Sequence, residues 1–189
     1  YLDVVRWQAP SERIILDTVD LHFLRLERQA ALTGRPEDRE RAEQVRQDEL
    51  RCAAASDAVV VVSETERELL ARCLPGDKIH VVSNIHSNRP GPRGYGGRSG
   101  VLFVGGFMHP PNEDAVRNLA SAIWPRVLER RPEARLIIAG SDAPESVLKL
   151  RSASVEVLGY VPDLTPLYDQ VLVSVAPLRY GAGVKGKIN

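Results

Sequence analysis

Ala58–Val62 reads AVVVV, five apolar residues in a row, four of them valine. A strand wet on one face alternates apolar and polar side chains. A strand covered on both faces does not have to, and a short β-branched run of this kind is its mark. That run points to a strand covered on both faces, and the strand–helix rhythm around it to a parallel sheet. The residues around it keep the matching rhythm. Arg13–Asp17 (RIILD) reads as a short buried strand. Phe23–Leu32 reads as a helix, with Leu24, Leu26 and Leu32 among two arginines and a glutamine, until Gly34-Arg35-Pro36 breaks it. Glu37–Ala55 is a second, highly charged helix with Ala42, Val45, Cys52 and Ala53 on a thin apolar face. Glu49 lies on that face, either at the edge of the contact or as a partner for the first helix's arginines. After the valine run, Ser63 with Glu66 three residues on forms a capping box, opening a helix to about Cys73. Pro75-Gly76 ends it, and Lys78–Val82 is a further strand.

Asn84–Gly100 changes character, with two prolines, five glycines and three arginines and little to bury. It reads as a linker between domains. Arg89, Arg93 and Arg98 are candidates for a phosphate contact or plain solvated charge. A second alternating unit follows. Val101–Val104 is a strand and Gly105-Gly106 its turn. Asn112 is expected to cap a helix with Glu113 and Asp114 in its first turn, and Pro125 to kink that helix after Trp124. Arg135–Ala139 is the next strand. Asp142 and Glu145 are expected to cap a short helix to Leu150. Val155–Leu158 is a strand, Asp163–Asp169 a short helix, and Val171–Val175 the last strand.

The end of the chain, VLVSVAPLRYGAGVKGKIN, places Gly181, Gly183 and Gly186 among Lys185 and Lys187. Glycines bring backbone N–H groups close to a ligand, and lysines add positive charge at the same spot. A loop of this kind after a strand suits a phosphate or diphosphate; the plain alternative is a glycine-rich surface turn. The spacing G-x-G-x-x-G lacks the following helix and acidic residue of a dinucleotide fingerprint, and Ile188 stands where a P-loop needs Ser or Thr for magnesium. In the first half, Asp17, Asp20 and His22 (DTVDLH) follow a strand's carboxyl end, where open α/β folds place ligands. Their bland reading is turn caps and an exposed histidine.

Composition excludes several classes. Lys+Arg and Asp+Glu are both 25 of 189 residues, so no global field draws the chain to nucleic acid or an anionic membrane. Aromatics make up 5%, too few for the stacking faces of a nucleic-acid binder. Four scattered histidines and two cysteines form no metal cluster, and a reduced compartment is the simpler setting for the cysteines. No apolar run reaches the ~18 residues of a membrane span. The chain starts at Tyr1 and stops just after a presumed binding loop, and is expected to be a fragment of a longer protein.

Several stretches, in this order, resemble the middle of a glycosyltransferase of the two-Rossmann-domain (GT-B) type, similar to the large family-4 group. They are D-L-H after a strand, ASDAVVVVSETERELL, KIHVVSN, GVLFVGGFMHPPNEDAVRNL, PEARLIIAG, VEVLGYVPDL and APLRYGAGVKGKIN. The resemblance covers nearly the whole chain. It implies an acceptor-side domain in residues 1–83, a linker over 84–99 and a donor-binding domain in 100–189, both Rossmann-like with parallel sheets and both incomplete. It also implies sugar transfer, with retention and without a metal or other cofactor, from a nucleotide-diphosphate sugar to a glycan or lipid acceptor, as in polysaccharide biosynthesis. The donor would lie between the domains, in a cytoplasmic enzyme working alone or at the inner face of a membrane. Any peripheral membrane contact would come through regions outside this stretch.

The departures from that pattern relocate charge. Relatives often carry Arg at the position of Gly106 and Lys at that of Asn112. Without them, Lys185 and Lys187, with Arg179, are the nearest cations to neutralise a leaving diphosphate, while Gly105, Gly106, Gly181 and Gly183 offer close backbone approach. His22 falls near a functional histidine of relatives and is the candidate catalytic residue. Two other readings stand beside the transferase: a non-catalytic glycosyltransferase-like module that binds a nucleotide or a partner, and, against Ile188, a P-loop-type nucleotide hydrolase.

Overall fold

The computed structural model describes residues 2–85, 91 and 94–184. They form two compact units. The first takes 2–85 together with Tyr180–Val184, and the second takes the described residues from 91 to Arg179.

The first unit opens with a helix that the sequence reading does not anticipate, α1 (Leu2–Gln8). Arg6 anchors it, donating to the carbonyl of Glu12 at 2.9 Å and to the Asp57 carboxylate at 2.6 Å. There follow β1 (Ile15–Asp17), α2 (His22–Thr33), α3 (Pro36–Ala55), β2 (Ala58–Val61), α4 (Glu64–Leu70) and β3 (Ile79–Val81). The three strands are parallel in the order β1-β2-β3. The valine run is thus the central strand, paired on both edges, with one face (Val59, Val61) in the core and the other (Ala58, Val60) half-buried. Val59 and Val61 are fully buried against Leu21, Phe23, Ala53 and Leu70. Gly34 ends α2 in the left-handed conformation (φ 70°), its N–H returning to the Ala30 carbonyl. Pro36 starts α3 at a position where a missing N–H costs nothing.

The second unit runs β4 (Val101–Val104), α5 (Pro110–Asn118), a π-helical turn (Leu119–Ile123), α6 (Trp124–Arg130), β5 (Leu136–Ala139), α7 (Glu145–Leu148), β6 (Val155–Gly159), α8 (Thr165–Gln170) and β7 (Val173–Ser174). Its sheet is parallel throughout, in the order β6-β5-β4-β7. Adjacent residues of β4 enter opposite cores. Phe103 packs with Val116, Trp124 and Ile138, and Leu102 packs with Ile137, Val171 and Leu167. Both are fully buried, as a sheet covered on two faces requires.

Four local expectations are corrected. The N-cap of α5 is His109; Asn112 sits inside the first turn, with its side chain turned into the protein. Asp142 caps nothing: α7 starts after Pro144, and Asp142 adopts φ 56°. The last strand's paired residues are Val173 and Ser174, because Val171 caps α8, its N–H returning to the Leu167 carbonyl, and Pro177 lies just beyond. The irregularity forced by Pro125 comes before it: the helix widens into the π-helical turn, which spares the carbonyl one turn back from a clash with the proline ring.

Candidate functional site

In the second unit the strand order reverses between β4 and β7. In open parallel sheets that reversal opens a crevice at the carboxyl ends of the strands, where ligands bind. The loop after β4 carries Gly105 and Gly106; the loop after β7 carries Arg179. Backbone bonds hold the first of these against the loop after β5: Gly105 N–H donates to the Ala139 carbonyl at 3.0 Å, and Phe107 N–H to the Ser141 carbonyl at 3.0 Å. The packing there leaves no room for side chains. A Cβ on Gly140 would stand 2.0 Å from the Gly105 carbonyl oxygen, and one on Gly105 would stand 2.7 Å from Asn112 Cγ. Asn112 is buried and donates from Nδ2 to the Gly106 carbonyl at 2.7 Å, fixing the turn. Gly106 itself is exposed, and a Cβ there would meet only Ser141 Oγ, at 3.4 Å. The turn is therefore rigid underneath and bare on top, a backbone surface that a ligand can approach.

Arg179 does not point freely into this crevice. Its Nε donates to Asp114 Oδ2 at 2.9 Å and its Nη2 to the other carboxylate oxygen, a two-pronged pair with α5. The guanidinium keeps a half-exposed edge, oriented by Asp114.

In the first unit, the turn after β1 is strained. Val19, β-branched and exposed, has φ 58°, a conformation such residues rarely adopt. Asp17 Oδ1 accepts from the Val19 N–H at 3.1 Å, and the Asp20 N–H reaches the Thr18 carbonyl at 2.6 Å, so a tight turn holds it. His22 opens α2. Its Nδ1 faces Glu49 Oε1 at 2.9 Å and its Nε2 lies 3.5 Å from Asp20 Oδ1, so two carboxylates orient the ring. Glu49 also accepts the N–H groups of His22 (3.1 Å) and Phe23 (2.8 Å). Its partner is the open end of α2, where no side chain of α2's own caps the helix, and not the first helix's arginines. Thr18, His22, Glu49 and Cys52 line a pocket of about 310 Å³ in this unit, walled by Leu16, Leu21 and Leu70 among others. Sequence reasoning missed the role of Glu49. The signal was present as a carboxylate on an apolar helix face, but its partner lies 27 residues away.

Gly181 and Gly183 belong to the segment that packs within the first unit. The Gly181 carbonyl accepts from Arg28 on α2, and the Gly183 N–H donates to Glu66 Oε1 at 2.9 Å. Lys185 and Lys187 lie outside the described residues.

Residues 98–189 match the family model described as glycosyl transferases group 1. Among curated proteins none matches the chain. Of solved structures, TarM is similar over 76% of this chain and 29% of its own, at 15% identity and a TM-score of 0.59. A TarM point mutant from S. aureus, in complex with fondaparinux, α-GlcNAc-glycerol and UDP, is similar over 69% of this chain and 27% of its own, at 16% identity and a TM-score of 0.55. The chain thus spans under a third of the length of these structures. Among the described residues no helix is long and apolar enough to cross a membrane. The second half of the chain thus matches the glycosyl transferases group 1 model, and its two parallel-sheet units have the α/β fold of the GT-B structures it is similar to.

Proposed function

We propose that the protein transfers a sugar, with retention, from a nucleotide-diphosphate donor to a glycan or lipid acceptor, without a metal or other cofactor, on the cytoplasmic side. The observation that carries this reading is the bare, exposed Gly106 turn at the strand-order reversal of a unit matching the glycosyl transferases group 1 model. A diphosphate there would meet the Gly105–Gly106 backbone, with Arg179 oriented nearby by Asp114. Asn112, where relatives often carry Lys, is neutral and turned inward. Neutralisation of the leaving diphosphate therefore falls to Lys185, Lys187 and Arg179. A TarM structure bound to UDP and to saccharides supports the donor and acceptor classes. His22 would hydrogen-bond the sugar or the acceptor.

The test is calorimetric binding of UDP to the intact protein, wild type against Lys185→Ala and Lys187→Ala. A charge-assisted contact is worth roughly 1.5–3 kcal/mol, so at least one variant should bind about 10-fold or more weakly. Binding within twofold of wild type in both variants overturns the relocation of charge. Binding of UDP with no transfer from any nucleotide sugar by the intact protein favours the non-catalytic module.

A further inference from the structure

Glu66 is the one charged side chain that is fully buried among the described residues, at 2% exposure. Its position in α4 does not account for that. It stands at the capping-box position, third after Ser63, and its N–H donates to Ser63 Oγ at 3.3 Å. In such a box the glutamate reaches back to the N-cap N–H, a task an exposed side chain performs equally well. Here the carboxylate instead takes two other backbone donors: the Val62 N–H at 3.4 Å and the Gly183 N–H at 2.9 Å. Burying a carboxylate is costly unless it is hydrogen-bonded, and the stronger of its two bonds goes to a residue 117 positions away.

The segment it holds is shaped for holding. Gly183 has φ 70°, and a Cβ there would stand 3.0 Å from Asp20 Cβ and 3.6 Å from the Val19 carbonyl oxygen. Two residues earlier, Arg28 takes the Gly181 carbonyl. A cation on α2 thus grips a carbonyl, and an anion on α4 grips an N–H, of a stretch with no regular secondary structure. Because the Gly183 N–H is spent on Glu66, this glycine serves as an anchor point and not as a phosphate donor. The segment runs in sequence directly into Lys185.

We propose that Glu66 is a positioning residue: its buried carboxylate fixes the Tyr180–Val184 segment and thereby sets donor affinity. The second half of this statement rests on the proposed function; the first does not. The test compares wild type, Glu66→Ala and Glu66→Gln by amide hydrogen exchange of Gly183, followed by NMR on this chain, and by calorimetric titration with UDP. In Glu66→Ala, Gly183 exchange should rise about 10-fold or more, with protection at Val59 and Ile138 unchanged. In Glu66→Gln, where a neutral acceptor replaces a charged one, the rise should be about 3-fold. UDP binding should weaken in the same order. Unchanged Gly183 exchange in Glu66→Ala overturns the anchor. If Glu66→Ala fails to fold, Glu66→Gln decides, and exchange equal to wild type overturns it. Faster exchange with UDP affinity within twofold of wild type shows an anchor without a positioning role and overturns that half. If wild type binds no UDP, the proposed function fails, and the exchange arm still decides the anchor.

Discussion

Glu49 shows how one side chain can stand in for a missing local cap. Leu21 precedes α2 and offers no side-chain oxygen, so the first N–H groups of α2 depend on a carboxylate from α3. Replacing Glu49 with Ala should cost about 1–2 kcal/mol, the range for losing a cap, read from the urea midpoint. The loss should exceed that of His22→Ala, which keeps both backbone bonds. Asp57 makes a different kind of tie. It accepts from the Ile14 N–H at 2.7 Å and from Arg6 at 2.6 Å, and these two contacts hold its carboxyl below the usual carboxylate range. A depressed carboxylate stabilises the fold above its unfolded value, and that contribution is lost as pH falls through the folded value. Asp57→Asn should therefore be less stable than wild type near neutrality, and the gap should close below about pH 4. Urea midpoints across pH test this; a gap that is constant with pH contradicts it.

The loops after β4 and β5 behave as one element, because their backbones touch. Gly140→Ala would drive a methyl into the Gly105 carbonyl, an overlap that no rotamer relieves. It should cost about 3 kcal/mol or more in thermal or urea unfolding. Gly106→Ala is the informative contrast, since its Cβ meets nothing closer than Ser141 Oγ at 3.4 Å. Its stability should stay within about 0.5 kcal/mol of wild type. If the bare turn is where a diphosphate lies, UDP binding should nonetheless fall about 10-fold, as seen by calorimetry. A Gly106→Ala variant that binds UDP as wild type does would move the ligand off this turn.

For the molecule as a whole, the division into units does not follow chain order: Tyr180–Val184 pack with residues 2–85. A substitution late in the sequence should therefore be felt early in it. Gly183→Ala combines a left-handed backbone with crowding against Asp20, a strain of about 1–3 kcal/mol. Hydrogen exchange should speed up at Val59 and Val61, in the first unit's sheet. It should stay as it was at Phe103 and Ile138, in the second. The opposite pattern would assign this segment to the second unit.

The sequence by itself determined the α/β class, the parallel sheets and nearly every strand. Those follow from local signals: the unbroken run of Ala58–Val62, the alternating cores of Val101–Val104 and Leu136–Ala139, and breakers such as Gly34 and Pro75. The Ser63 cap was legible for the same reason, since its donor, the Glu66 N–H, lies three residues on; the box's other half does not form, because the Glu66 carboxylate takes the Val62 and Gly183 N–H groups. The short helix Leu2–Gln8 carries no strong periodic signal and is held by an ion pair to Asp57, so only tertiary contact reveals it. The glycine turn of the candidate site was legible, because Gly105 and Gly106 follow a readable strand. It was not legible in its carboxylates. Glu49, Glu66 and Asp114 each find their partner at long range, in the first turn of α2, in the Gly183 N–H and in Arg179. Residue type and spacing announce that a carboxylate is present; only the folded chain decides which donor it meets, because the energy of a hydrogen bond depends on a few ångströms that sequence separation does not encode.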